Sequence, residues 1–464
     1  MFINKQIIVL FLVTFIFILF LLRRIKFFEI YAFFVPFFGI DGDIGVRYTI
    51  SLLILFLANI SFFVNLILRK NNLKYLLFFN ISILLFLLYT NFSNVLLSNF
   101  VLEFYPTLNP GFLRNEGRYI SQFLMYSLLF SIFYVTPFFV KEYSNFINVI
   151  KWFLKGIIVL AIIGIIQQIV FVITGHNIIE LRPLGGLHGV HIHTTFGIPL
   201  MRINSLAGEP KSLGMYMVVG IVLIRTLDNL NIKVLKYQTY LIILFFIVLI
   251  MSLSSSGFVM LPILFFISEL LSLFFKRKYM GLSLNKLILT ITLLFLIAIF
   301  YKPIKDIIMK RTIERGIEED YDMVALEGWK NNPEYWLTGC GLGNMRSLSY
   351  PHLWKFNFPY IEEQLIFAKS GYLRILTETG IIGFLFFLSF NFLIFFKIFK
   401  TILIEPNENY KKMFSLLLIL SLSFFVGYLL RSYIIEVYLL FLALANTFYK
   451  LFNKNEKNVL MQFL

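Results

Sequence analysis

Cysteine and charge are both scarce in this chain. Cys340 is the single cysteine, which excludes an intrachain disulfide and a cysteine-rich metal site. Asp, Glu, Lys and Arg together make up only 14% of the 464 residues, against 59% hydrophobic residues. A soluble domain has no way to hide that much apolar surface. No repeat of fixed period runs through the chain, which weighs against a transporter built from duplicated halves. The first apolar run, "QIIVLFLVTFIFILFLL", has no small-residue cleavage site and is followed by Arg23-Arg24. It reads as a retained span rather than a removed signal peptide.

What the chain has instead is apolar length. Phenylalanine alone contributes 57 residues, and the mean hydropathy is +0.84. A helix crosses the hydrocarbon core with about 20 apolar residues. Candidate spans are 6–22, 27–40, 48–68, 75–97, 119–140, 152–173, 205–224, 238–253, 258–275, 287–301, 380–397, 413–430 and 433–449. The second is short and contains Pro36, so it reads as a half-span or part of a bent hairpin, and the count is twelve or thirteen. The expected fold is all-α, a polytopic transmembrane bundle with a large helical loop between late spans. Four regions follow: N-terminal spans at 1–173, a first external loop with middle spans at 174–301, the large loop at 302–379, and C-terminal spans with a tail at 380–464.

The net charge of +16 does not indicate nucleic acid. Much of the excess lies beside apolar runs, as in Arg23-Arg24-Ile25-Lys26, Arg69-Lys70, Lys276-Arg277-Lys278 and Lys411-Lys412. That is the bias that orients spans with their basic loops in the cytoplasm. From residue 69 onward the assignment closes and leaves 174–204 and 302–379 outside. The larger loop opens with helical spacing, is stopped or bent at Pro333, turns at "TGCGLGNM", and resumes as helix near Lys369.

Several motifs have ordinary explanations. "GCGLGN" lacks the preceding strand and following crossover helix of a dinucleotide site, so a tight glycine turn accounts for it. His188, His191 and His193 have no nearby carboxylate or thiol to complete a zinc site, and they read as a polar loop. The hydroxyls of "SLSSSGFVML" are suited to capping the helix that follows. The stretch "RINSLAGEPKSLGMYM" is different, because Arg202, Glu209 and Lys211 crowd the start of a span. A charge near the hydrocarbon costs about 2.5–3.5 kcal/mol on insertion scales. Arg202 and Lys211 suit snorkelling anchors. Glu209 before Pro210 suits a helix start, where the dipole favours a carboxylate, and equally suits a site.

These residues resemble a family. "RINSLAGEPKSLGMYM" is similar to the arginine-led motif of bacterial O-antigen polymerases and ligases. "EGWKNNPEYWLTGCGLGNM" resembles that family's Trp, Pro and Gly-rich stretch, and "YLRILTETGIIGFLFFL" resembles the run into the span after its large loop. The likeness covers about residues 150–400. Two departures favour polymerase over ligase. Lys369-Ser370 stands where members often carry His-Asn, and Ser254-Ser255-Ser256 stands where many carry an Arg.

The resemblance implies a glycosyltransferase of the bacterial inner membrane, with its site facing the periplasm. It would move a growing glycan from undecaprenyl diphosphate to a lipid-linked repeat unit, with no nucleotide, metal or other cofactor. Partners would be the lipid-linked repeat units, membrane lipids, a chain-length regulator and a flippase. The alternatives are O-antigen ligase and a flippase or transporter of lipid-linked oligosaccharide. On this reading Arg202, Arg315 and Arg346 bind the diphosphate or substrate, followed by Lys211, Lys369 and Arg374, with Arg311 interchangeable with Arg315. Glu209 is the first candidate to activate the acceptor hydroxyl and Glu378 the second. Lys369 acts as a base only if burial lowers its pKa. Trp329 and Trp336 suit either sugar stacking or interfacial anchoring.

Overall fold

The computed structural model describes residues 27–38, 41–43, 47–68, 83–90, 124–177, 192–195, 198–232, 237–275, 321–349, 352, 368, 370–430 and 434–452. The spans expected at 6–22 and 287–301 lie outside these residues, as do Arg311, Arg315 and Lys369. The described chain is predominantly helical. In order the helices are α1 (Phe27–Phe34), α2 (Ile50–Leu68), α3 (83–90), α4 (Leu124–Phe139), α5 (Tyr143–Thr174), α6 (Pro210–Asn229), α7 (Gln238–Ser252) and α8 (Ser255–Phe275). They continue with α9 (Tyr321–Lys330), α10 (Met345–Ser349), α11 (Gly371–Ile404), α12 (Glu408–Leu430) and α13 (Ile435–Phe452).

Two short antiparallel hairpins depart from the all-helical expectation. β1 (Asp41–Asp43) pairs with β2 (Arg47–Thr49), and β3 (Ile192–Thr195) with β4 (Ile198–Met201). Both lie in stretches too short or too interrupted for a span. The first follows α1, which is only 8 residues long and gives way to a turn at Val35-Pro36. The helix stops short of a full span at Pro36.

Six described helices, α2, α5, α6, α11, α12 and α13, are long and apolar enough to cross a membrane. They divide by burial. In α6, α12 and α13, 83%, 72% and 78% of the most apolar window lies inside the bundle, against 39–44% in α2, α5 and α11. The outer helices expose apolar stripes at helical spacing: Phe56, Ile60, Phe63 and Ile67 on α2, and Ile162, Ile166, Ile169 and Ile173 on α5. Such stripes are unfavourable in water and are what hydrocarbon solvates. The protein is membrane-embedded.

Aromatic packing joins the inner helices. Phe424 of α12 stacks on Phe441 of α13 at 5.4 Å, and Phe153 of α5 meets Phe441 edge-on at 4.8 Å. Two buried polar pairs cross between helices, as low polarity favours. Tyr438 donates to Asn391, and Tyr134 donates to Asn59 Oδ1 at 2.6 Å.

One end of the bundle gathers the start of α5, the end of α11, the start of α12 and the end of α13. Tyr143 lies 6.2 Å from Phe448, Tyr410 lies 6.0 Å from Phe448, and Lys397 sits 5.6 Å above Tyr449. Lys400, Lys411 and Lys412 belong to this end. The opposite end carries the candidate site.

The short helix α1 is held against α5 at Gly156, where a Cβ would stand 2.3 Å from the Phe33 carbonyl oxygen. Gly156→Ala must push the two helices apart. A loss of about 1–3 kcal/mol is expected from such overpacking, measured as a lower thermal midpoint of the solubilised protein.

Candidate functional site

The arginine-led segment is a folded structure before it becomes a helix. Gln167, deep in α5, clamps it with both ends of its amide. Its Nε2 donates to Asn204 Oδ1 at 2.8 Å and Asn177 Oδ1 at 3.0 Å. Its Oε1 accepts the N–H groups of Ser205 at 2.9 Å and Asn204 at 3.3 Å. Ser205, fully buried at φ 49°, donates to Leu160 O at 2.8 Å. A hydroxyl or amide in an apolar span needs such partners, because an unpaired buried polar group is costly.

Arg202 emerges from this clamp half-buried, and its Nε donates to Ser252 O at 3.1 Å. Ser252 is the last residue of α7, so the guanidinium sits where the helix dipole favours a cation. Thus the short 252–254 turn, which lacks an arginine of its own, receives one from Arg202. Glu209 is the N-cap residue of α6 and Pro210 occupies the first turn, as the sequence indicated; the Glu209 side chain makes no capping hydrogen bond. Ser254 Oγ donates to Lys211 O at 3.3 Å and accepts the Gly257 N–H at 3.1 Å, so a hydroxyl does cap α8. Arg202, Glu209 and Lys211 therefore surround one joint of α6, α7 and α8.

The second part of the site is built on a break in α11. Gly380 has φ 66° and ψ −174°. Across it, α11 and the glycine-rich turn exchange hydrogen bonds. Thr377 O and Glu378 O accept from Cys340 N at 3.1 Å and Gly341 N at 2.9 Å. Reciprocally, Ile381 N and Ile382 N donate to Trp336 O at 2.8 Å and Leu337 O at 3.2 Å. Both sets of groups would otherwise have paired with each other along the helix. Gly339, Gly341 and Gly343 all have positive φ, and a Cβ on Gly339 would lie 2.4 Å from Glu378 O. The turn is thus a tight glycine turn, with its backbone bonded into the helix.

Arg374 and Glu378 lie one turn apart at the base of this joint, with Nε 3.1 Å from Oε1 and side-chain exposures of 12% and 0%. Glu378 Oε2 is buried without a hydrogen-bond partner. The phenols of Tyr126 and Tyr428 are within electrostatic reach of the pair. The start of α11 is further fixed by Asp322, whose Oδ1 accepts the Ser370 N–H at 3.0 Å. Trp336 Nε1 donates to Trp329 O at 2.8 Å, with the rings 5.6 Å apart.

Both parts stand at the same end of the bundle, opposite the lysine-bearing end. The last turn of α12 touches each: a Cβ on Gly371 would meet the Tyr428 ring at 2.2 Å, and one on Gly427 would meet Met215 Cε at 2.9 Å. Of the candidate residues, Arg202, Glu209 and Lys211 come together in the first part, and Arg374 and Glu378 in the second. Arg346 is the second residue of α10, beyond the glycine-rich turn, and its side chain lies outside the described residues. Reading the sequence missed Gln167 and Gly380. A Gln-Gln pair within an apolar span was the available signal for the first; nothing local marked the second.

Two outcomes check this construction. Gly380→Ala introduces a Cβ 2.3 Å from Leu337 O at a φ that L-residues avoid, and should release the turn, read as new protease cleavage within 331–345. Glu378→Gln leaves the Arg374 charge buried without its counter-charge, a loss of about 3–5 kcal/mol. Adding Arg374→Gln should restore part of it in a double-mutant cycle of thermal stability. Neither family models nor curated proteins match this chain.

Proposed function

We propose that this protein is a surface-polysaccharide polymerase of the O-antigen polymerase type. It acts where two loops leave the bundle. The observation that carries this reading is the grouping of ionisable residues at one end of a predominantly apolar bundle. Arg202, Glu209 and Lys211 lie at the same end as Arg374 and Glu378, opposite the lysine-bearing end. A transporter would instead distribute its charges along spans lining a path.

The chemistry follows from what has to be stabilised. The acceptor hydroxyl oxygen attacks the anomeric carbon of the donor glycan, and the bond from that carbon to the lipid diphosphate oxygen breaks. The hydroxyl proton passes to a base, and the diphosphate departs with the electron pair. Negative charge grows on the leaving group, so prearranged cations at the membrane face lower the barrier most. An arginine fork fits phosphate oxygens better than a lysine point charge. Arg202 and Lys211 are the cations of the first part. Glu209, at the mouth of α6, is the candidate that takes or orients the proton, for which it needs hydrogen-bond reach to the hydroxyl. Arg374 is held by Glu378 and supports the second wall.

Arg202→Ala should abolish long-chain product while the protein still accumulates in the membrane, whereas Lys70→Ala leaves chain length unchanged. The readout is purified protein in lipid with one lipid-linked repeat unit, resolved as a ladder. A normal ladder from the Arg202 variant refutes the role given to Arg202 on the departing diphosphate, and no ladder from wild type refutes the polymerase.

A further inference from the structure

Between α9 and α10 the chain presents an apolar surface that the site does not use. Trp336 is 41% exposed and Leu337 60%, although Tyr335 before them and Cys340 and Leu342 beyond them are buried. The pair abuts α11 just past its break: Trp336 O accepts Ile381 N and Leu337 O accepts Ile382 N. Ile381, Ile382 and Leu385 are exposed in their turn, and Phe392 and Phe396 continue the stripe along α11 toward Lys397. An exposed apolar stripe on a membrane-crossing helix is its lipid-facing side.

Depth decides what covers the pair. Unbroken helix runs from Ile382 to Lys397, a length of about 22 Å at 1.5 Å per residue. The hydrocarbon core is about 30 Å thick. Lys397 belongs to the lysine-bearing end, so Trp336 and Leu337 stand inside the far leaflet rather than beyond it. They are the deepest point of the turn. Cys340 already bonds Thr377, nearer the site end of α11, so Thr338 begins the return to water.

Irregular backbone at membrane depth must find its partners in protein, and the carbonyls here do. Besides the two bonds to α11, the Tyr89 hydroxyl donates to Leu337 O at 3.2 Å and Thr338 O at 3.1 Å. Tyr335 O accepts the Gly339 N–H at 2.8 Å. The indole N–H of Trp336 is taken by Trp329 O at 2.8 Å, which leaves an exposed ring with no polar atom in need of water.

We propose that Trp336 and Leu337 form a re-entrant membrane anchor, packed against the phospholipid acyl chains of the leaflet on the site side. The anchor sets the depth at which the joint of α11 and the glycine-rich turn meets the bilayer. It does not depend on the polymerase reading.

The test uses the full chain in bilayers of phosphatidylcholine and phosphatidylglycerol, with no polyprenyl lipid present. A nitroxide is attached at Leu337→Cys, at Leu385→Cys as the lipid reference and at exposed Lys330→Cys as the water reference; native Cys340 is buried. Molecular oxygen should relax the label at 337 more strongly than a water-soluble nickel chelate does, as at 385, with the order reversed at 330. A label at 337 that follows the nickel chelate as at 330 overturns the anchor in favour of a water-exposed turn. Low accessibility to both reagents overturns it in favour of a protein contact. Trp336→Phe serves if the Leu337 variant does not fold: it should remove part of the tryptophan quenching caused by phospholipids brominated on their acyl chains, and unchanged quenching overturns the anchor.

Discussion

A helix in a bilayer must return every peptide N–H and C=O to a partner, because no water is there to take them. At Gly380 this chain returns them to another segment. Thr377 O and Glu378 O go to Cys340 and Gly341, and Ile381 N and Ile382 N go to Trp336 and Leu337. This exchange makes the glycine-rich turn part of the bundle. It fixes the Arg374–Glu378 pair directly beneath the turn and sets where the polar segment from α9 to α10 meets the apolar helices. Asp322 on Ser370, and the buried contact of Cys340, Tyr335 and Leu348, then follow as packing around a joint already closed.

The arginine-led segment solves the same problem with a side chain. Gln167 supplies the donors and acceptors that residues 202–205 lack while they run irregularly against α5. Irregular backbone at membrane depth is tolerated where protein supplies its partners. The result is an α6 that starts beside the end of α7 and the start of α8, with Arg202 bonded to Ser252. Two unrelated devices, one of backbone and one of amide, thus bring ionisable residues to one end of a bundle whose other end is rich in lysine. That asymmetry is what the proposal of phosphate chemistry at that end rests on.

Much of this was legible locally. Glu209-Pro210 announced the start of α6, the serines announced a cap for α8, and the glycines announced a turn, because each depends on neighbours in sequence. The membrane-spanning helices were legible from apolar length. The break in α11 was not: "TETGIIGFLFF" reads as continuous helix, and its partners lie about forty residues upstream in a segment with no strand pattern. The Arg374–Glu378 spacing is that of a helical ion pair, yet reading each residue for a substrate hid their attachment to one another. The strands β1 to β4 were not legible because three or four residues are too few to show an alternating pattern.

The central claim is that the arginine-led segment and the glycine-rich turn face one side of the membrane, and that the lysine-bearing end faces the other. Cysteines placed at exposed Thr174 and Thr338 on one end, and at exposed Asn407 on the other, test it directly, since native Cys340 is buried. With a membrane-impermeant thiol reagent on intact cells, the account predicts labelling at 174 and 338 and none at 407 until the membrane is opened. Labelling at 407 alone, or at 174 and 338 on opposite sides, would contradict it.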